Sequence, residues 1–431
     1  MRIFSDLHIH SKYARATSKD MDIEHLTKYG KLKGLNLIGT GDFTHPKWLE
    51  GLKEKLKPVE DTGLYSYDKI NFMLTTEIST IYIQDNKTRK IHHVIHVPSF
   101  DIVEQINEAL TKLGGKLGID GRLLLNDRTS VELVETLINI YKDTLIVPAH
   151  VWTPWFSVFG SKSGFDRVED CYQDQTKHIY ALETGLSSDS PMNWRLSSLD
   201  KFTLMSNSDC HSPWPWRLGR ECNVFELEKL TYWEILNAVK KKDKKRFLFT
   251  IEVDPAYGKY HWTGHRNCNI SLSPKQSLKI NNICPVCRRK LTVGVEERVE
   301  ELADRDEGFV PKDVISYKHL IPLSELIKTV FKIDSFYSKT VWIEYNKLIE
   351  RFGNEFNVLL NIPREKLGEV TKKQLVDLIL ENREGKIKII PGYDGVYGRP
   401  VVDDSEFEKF EKRQKNLRID IQKKLFDFKD P

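Results

Sequence analysis

The segment Ser5-Asp6-Leu7-His8-Ile9-His10 sets two imidazoles one residue apart behind a run of strand-forming residues. Alternate side chains of an extended chain share a face, so His8 and His10 point the same way and two neutral rings can share a metal ion. Two rings are only part of a coordination sphere. Further ligand types recur at the ends of later apolar runs: Asp42 in GTGDF, Glu77 in TTEIS, His150 in VPAHVW, Glu183 in ALETG, and Asp209 with His211 in SNSDCHS. One such residue is ordinary, because strand-end carboxylates often cap the next helix. A recurrent set has the composition of a metal site. The run KIHHVIHV is ambiguous, since His92, His93 and His96 all fall inside it; His92 and His96 share a face, and His92 is the preferred ligand.

A metal cluster of this kind can activate water for attack on phosphorus and neutralise the leaving oxygen, so phosphoester hydrolysis is the reaction the set suits. Asp209 and Glu77 are the candidates to bridge ions, with His8 and His10 completing the catalytic group. Asp6 and Glu183 are candidates to hold imidazole N–H groups from behind. An amidohydrolase-type deaminase also opens with His-x-His, but it has no use for an early glutamate or a closing histidine, so Glu77 and His211 argue against it.

The elements that must position these residues alternate. RIFSDLHI, LNLIGTGD, INFMLTTE, KIHHVIHV, DTLIVPAH, HIYALETG and FTLMSNSD read as strands, whereas DIEHLTKYGKLKG and SVELVETLINIYK repeat apolar residues at helical spacing. The expectation is an α/β barrel of seven parallel strands over residues 1–250, with its site at the strands' C-terminal ends. The His-x-His pair, Glu77, the PAH around His150 and the closing Asp-x-His resemble the motifs of the PHP (polymerase and histidinol phosphatase) superfamily. That resemblance implies an irregular seven-stranded barrel holding two or three metal ions. It departs at Thr40-Gly41-Asp42, where many relatives carry T-D-H; Asp42 remains a competent ligand for zinc or manganese.

With 431 residues and 40% hydrophobic content, the chain is long enough for about three domains. The net charge of +4 points to local basic patches, if any, as the basis of nucleic-acid affinity. No leader-like or membrane-spanning apolar run is visible, and six cysteines make no disulfide framework, so a reducing, cytoplasmic setting is expected. The KKKDKKRF run closes the barrel as a solvated helix end. Beyond it, His265-x2-Cys268 and Cys284-x2-Cys287 have the spacing of a structural zinc ribbon, expected over 251–315, with His261 as the alternative to His265. A ribbon this small depends on its metal to fold.

Segments such as LSELIKTVFK and TKKQLVDLILENR predict a helical domain over 316–400. Aromatic and basic residues crowd the stretches after His150 and His211: Trp152, Trp155, Phe159 and Lys162, then Trp214, Trp216, Arg217 and Arg220, with Tyr393 and Tyr397 later. Such sets suit base stacking and phosphate pairing. In the tail, 401–431, Gln422, Leu425 and Phe428 resemble the short motif that docks on a replicative sliding clamp. The whole arrangement, from GTGDFTHP and SNSDCHSP through GHRNC and CPVC to PGYDGVYG, resembles the endonuclease Q family. The resemblance implies an archaeal-type DNA-repair endonuclease, using zinc with Mg or Mn as alternatives in the barrel. It also implies cleavage 5′ of deoxyuridine, deoxyinosine, deoxyxanthosine and abasic sites. A deaminated base pairs poorly, so flipping it into a pocket costs less than flipping a normal one.

Overall fold

The computed structural model describes residues 1–401 and 404–426, as backbone only at 404 and 418–426. All seven strands marked by the sequence form. Arg2–Asp6 pairs in parallel with Leu37–Gly39, and that strand in turn with Ile70–Gln84. Ala181–Glu183 and Thr203–Met205 pair in parallel, and a parallel bridge between Ile9 and Cys210 ties this pair back to the first strand. The fourth strand corrects the all-parallel expectation: Lys87–Val97 runs antiparallel to both Ile70–Gln84 and Leu145–Pro148. The reason is local. Only Asp85 and Asn86 separate it from the preceding strand, and both take positive φ, as a two-residue hairpin turn requires, leaving no length for a helical crossover.

Helices return the chain where the sequence supplies caps. Asp22 accepts from the His25 amide at the start of Ile23–Lys33, Gly34 ends that helix at φ 99°, and Thr129 with Glu132 forms a capping box on Ser130–Ile140. Sequence periodicity missed several strands. Leu123–Asn126 extends the outer end of Ile70–Gln84, and Cys222–Glu226, Phe247–Glu252 and Ser316–His319 extend the sheet beyond the first strand.

The expected ribbon region contains a hairpin, Thr263–His265 with Ile270–Leu272, and the helix Val295–Leu302. Arg298 fastens that helix to the barrel loops, donating to the carbonyls of Phe159 and Phe165. The C-terminal helices, from Leu323–Phe331 to Lys373–Arg383, share one apolar core with the barrel. A buried ion pair, Lys33 to Glu355 at 2.7 Å, and stacked rings of Phe4 and Phe356 cross the same junction. Among the described residues no helix is long and apolar enough to cross a membrane.

Candidate metal centre and adjoining cleft

His8 and His10 follow the first strand on its buried side, each ring held from behind by a carboxylate. Both oxygens of Glu183 lie 3.0 Å from His8 Nδ1, and Asp42 Oδ1 lies 3.0 Å from His10 Nδ1. An Nδ1–H donated to a carboxylate leaves the Nε2 lone pair free on the opposite side. Both Nε2 atoms are buried without a hydrogen-bond partner, as is Asp209 Oδ1, and the three ligand atoms lie within 4.8 Å of one another. Three buried, unsatisfied acceptors aimed at one point fit a cation. A second group adjoins it: Glu77, His92 and His150 also bring ligand atoms within 4.8 Å of one another.

Glu77 joins the two groups. Its Oε1 is 2.6 Å from His92 Nδ1, 3.2 Å from His150 Nε2 and 3.7 Å from His8 Nε2, while its Oε2 is 3.5 Å from His10 Nε2 and 3.1 Å from Arg122 Nη1. Burial resists the charged carboxylate, but His92 and Arg122 override it and hold Glu77 well below the usual carboxylate range. For His8, burial likewise favours the neutral ring, yet Glu183, Asp209 and Glu77 raise it to about 9. Such a negatively biased pocket favours a cation, whether proton or metal.

Asp42 departs from its expected place among the ligands. It touches the far nitrogen of His10 and accepts from the Ser11 amide at 2.6 Å, and its φ of 47° turns it behind the ring. Gly121 makes room for it, since a Cβ there would lie 2.4 Å from Asp42 Oδ2. His211 sits beside the cluster, its ring 4.6 Å from that of His10 and its Nδ1 3.0 Å from the Asp209 carbonyl oxygen. Asp6 holds no imidazole; it accepts from the amides of Ser208 and Gly219. His93 and His96 face away from the cluster, toward the carbonyls of Ile78 and Leu145.

Three participants carried no sequence signal strong enough to single them out. Arg122 precedes the short strand Leu123–Asn126, whose four residues give little periodicity. Thr153 contacts His150 Nδ1 at 3.0 Å, and Asn207 donates to Glu183 at 2.8 Å while accepting from the Leu7 amide.

A cavity of about 700 Å³ opens from the cluster, lined by His92, His150 and Asp209 and, farther out, by Trp155, Trp216, Arg217, Arg220 and Tyr397. Trp155 is 43% exposed and Tyr397 68%. Trp152 and Phe159 are corrections: each is 1% exposed, packed ring on ring in the core, with the indole donating to Asn193. Lys162 lines a separate surface depression with Arg89 and Asp166. Trp214 stacks on Trp216 at 5.6 Å behind the cleft, and Tyr393 is turned toward the ribbon region, donating to Asn269.

In that region His265, Cys268, Cys284 and Cys287 bring ligand atoms within 4.8 Å of one another, His265 Nδ1 lying 3.3 Å from Cys287 Sγ. His261 instead faces Glu296 at 3.6 Å. Gln422 and Leu425 fall on the backbone-only end of the last helix, Asp404–Phe426, and Phe428 beyond it, so the clamp-like motif lies outside the described side chains.

The lesion-specific endonuclease PfuEndoQ of Pyrococcus furiosus has a crystal structure that superposes with a TM-score of 0.83 at 34% identity, over 93% of this chain and 95% of that one. This chain belongs to the endonuclease Q family. A second endonuclease Q structure, a complex with a 27-mer duplex substrate carrying an abasic lesion at the active site, matches equally, with a TM-score of 0.83 and 34% identity over 94% of this chain and 98% of that one. Within this endonuclease Q chain, residues 322–386 match the family described as the MJ0043 C-terminal domain. MJ0043 of Methanocaldococcus jannaschii is 35% identical over 254 residues, 58% of this chain, which spans only 31% of that relative. YqxK of Bacillus subtilis is 28% identical over 418 residues, 92% of this chain and 99% of YqxK.

Proposed function

We propose that this chain is a metal-dependent DNA-repair endonuclease that hydrolyses the phosphodiester 5′ of deoxyuridine, deoxyinosine, deoxyxanthosine and abasic sites. The observation that carries the reading is the continuity of the His92, His150 and Asp209 ligand atoms with a cavity walled by exposed aromatic rings and cations. Metal held by His8, His10 and Asp209, and by Glu77, His92 and His150, would supply an acidified water and charge neutralisation at phosphorus. The donor set suits zinc, with Mg or Mn as alternatives.

The chain's own groups do the rest. Glu183 and Asp42 fix the tautomer and aim of His8 and His10. Arg217, Arg220, Lys259 and Arg399 line the cleft where a DNA backbone would lie, and Trp155 and Tyr397 offer faces to unstacked bases. In the same reading, residues 1–250 are a seven-stranded PHP barrel and 251–315 a ribbon closed by zinc on His265, Cys268, Cys284 and Cys287. Residues 316–400 are a helical DNA-binding domain, and 401–431 a tail for a sliding clamp.

The test is an end-labelled duplex carrying one abasic site or one deoxyuridine, incubated with and without chelator. One nick on the 5′ side of the lesion, abolished by chelator and restored by zinc or manganese, is expected. An uncut lesion duplex in the presence of metal would refute the reading.

A further inference from the structure

The cavity's charged lining is cationic apart from two carboxylates, Asp209 and Glu325. Asp209 belongs to the metal cluster. Glu325 does not, and its carboxylate makes no hydrogen bond or ion pair among the described residues, although Arg217 and Lys328 are near enough to act on it electrostatically. A lone carboxylate in a cleft shaped for a polyanion weakens phosphate binding and loses hydration on closure. That cost is recovered only if the substrate brings a hydrogen-bond donor to it.

Glu325 lies in the first turn of the helix Leu323–Phe331, and Lys328 is three residues on, so the two are neighbours on one helix face, and both line the cavity. Lys328 is steadied against the wall, its Nζ 4.0 Å from the Phe336 ring centroid, and Phe336 stacks on Trp216 at 5.0 Å. An acceptor therefore stands beside a donor, next to a flat aromatic wall.

Resting on the endonuclease reading, we infer that Glu325 and Lys328 are the specificity-determining pair that reads the lactam edge of an extruded deaminated base. Deamination converts the amidine edge of cytosine or adenine, –N=C–NH₂, into a lactam, –NH–C=O. The ring nitrogen changes from acceptor to donor, and the exocyclic position from donor to acceptor. Uracil, hypoxanthine and xanthine share this edge despite their different ring sizes. A carboxylate accepting from the ring N–H, beside an ammonium donating to the carbonyl, fits all three, whereas the amino-bearing bases present the two groups in reverse order. Thymine and guanine carry the same lactam and are excluded earlier, because they stay paired and stacked in the duplex.

The test compares wild type with Glu325→Gln and Lys328→Met on duplexes carrying deoxyuridine, deoxyinosine or an abasic site, which has no edge to read. The ratio of nicking at deoxyuridine or deoxyinosine to nicking at the abasic site is expected to fall by about tenfold or more in each variant, the range a paired base contact commands. As a second measurement, N3-methyldeoxyuridine, which lacks the ring N–H, should be a poor substrate for wild type, and Glu325→Gln should discriminate it from deoxyuridine less. Equal losses on abasic and base-bearing duplexes, or wild-type ratios in both variants, would overturn the assignment. Failure of wild type to nick even the abasic duplex would overturn the endonuclease reading and this one with it.

Discussion

At the residue scale, the ligand types were legible because strand alternation converts spacing into direction: His8, His10, Glu77, His92, His150 and Asp209 all reach one cluster. The role of Asp42 was not legible, because it depends on a left-handed φ that a strand-end reading does not anticipate. Its position behind His10, matching that of Glu183 behind His8, makes both carboxylates orienting groups. Glu183→Gln should keep the fold while weakening metal binding by about 10–100-fold, measured by titration of the metal-free protein against a competing chelator. Undiminished affinity would mean that His8 is aimed by backbone alone. Arg122 leads to a different prediction. Its guanidinium on Glu77 sits at the mouth of the cluster, where charge develops on phosphorus during hydrolysis. Arg122→Gln should therefore slow single-turnover nicking by about 10²-fold, with metal content retained by mass spectrometry. Loss of metal in step with activity would show that Arg122 acts only by positioning Glu77.

At the element scale, the outcome turned on connection length. Seven strands could be placed from apolar runs, but the direction of Lys87–Val97 was set by the two residues before it, too few for a crossover. The helix caps were readable as single residues. The short strand Leu123–Asn126 was not, because four residues cannot establish a period. The ribbon region was legible through its cysteine pairs, while the choice of His265 over His261 needed the third dimension. Its apolar core is small, with Ile270, Leu272, Cys284 and Leu291 as its fully buried members. A core of that size contributes little folding free energy on its own, so a metal on the four ligands would contribute much of the rest. Cys284→Ser should cost one metal ion per chain by native mass spectrometry and lower the melting temperature, while the barrel ions remain. An unchanged metal count would dismiss the ribbon site.

At the scale of the whole molecule, domain boundaries drawn from composition cut through packed structure. The strand Ser316–His319 lies beyond the ribbon region yet pairs with Phe247–Glu252, extending the barrel's own sheet. His319, at its end, faces the barrel loop residue Asp189, with Nε2 3.1 Å from Oδ2. Burial lowers the imidazole, but the hydrogen bond from Asp189 and the nearby charges of Asp254 and Glu252 outweigh it, raising it from 6.5 to about 9. A histidine whose folded value is raised binds its proton more tightly in the native state than in the unfolded chain. The contact's stabilisation is therefore complete below pH 6.5 and is lost as pH climbs through about 9. Glutamine at this position keeps a polar side chain but no titratable charge. Melting curves of wild type and His319→Gln should show the variant less stable at pH 6, with the gap narrowing steadily to near zero by about pH 10. A gap of constant size across that range would mean that His319 joins the last strand to the barrel by packing, with no part played by its charge.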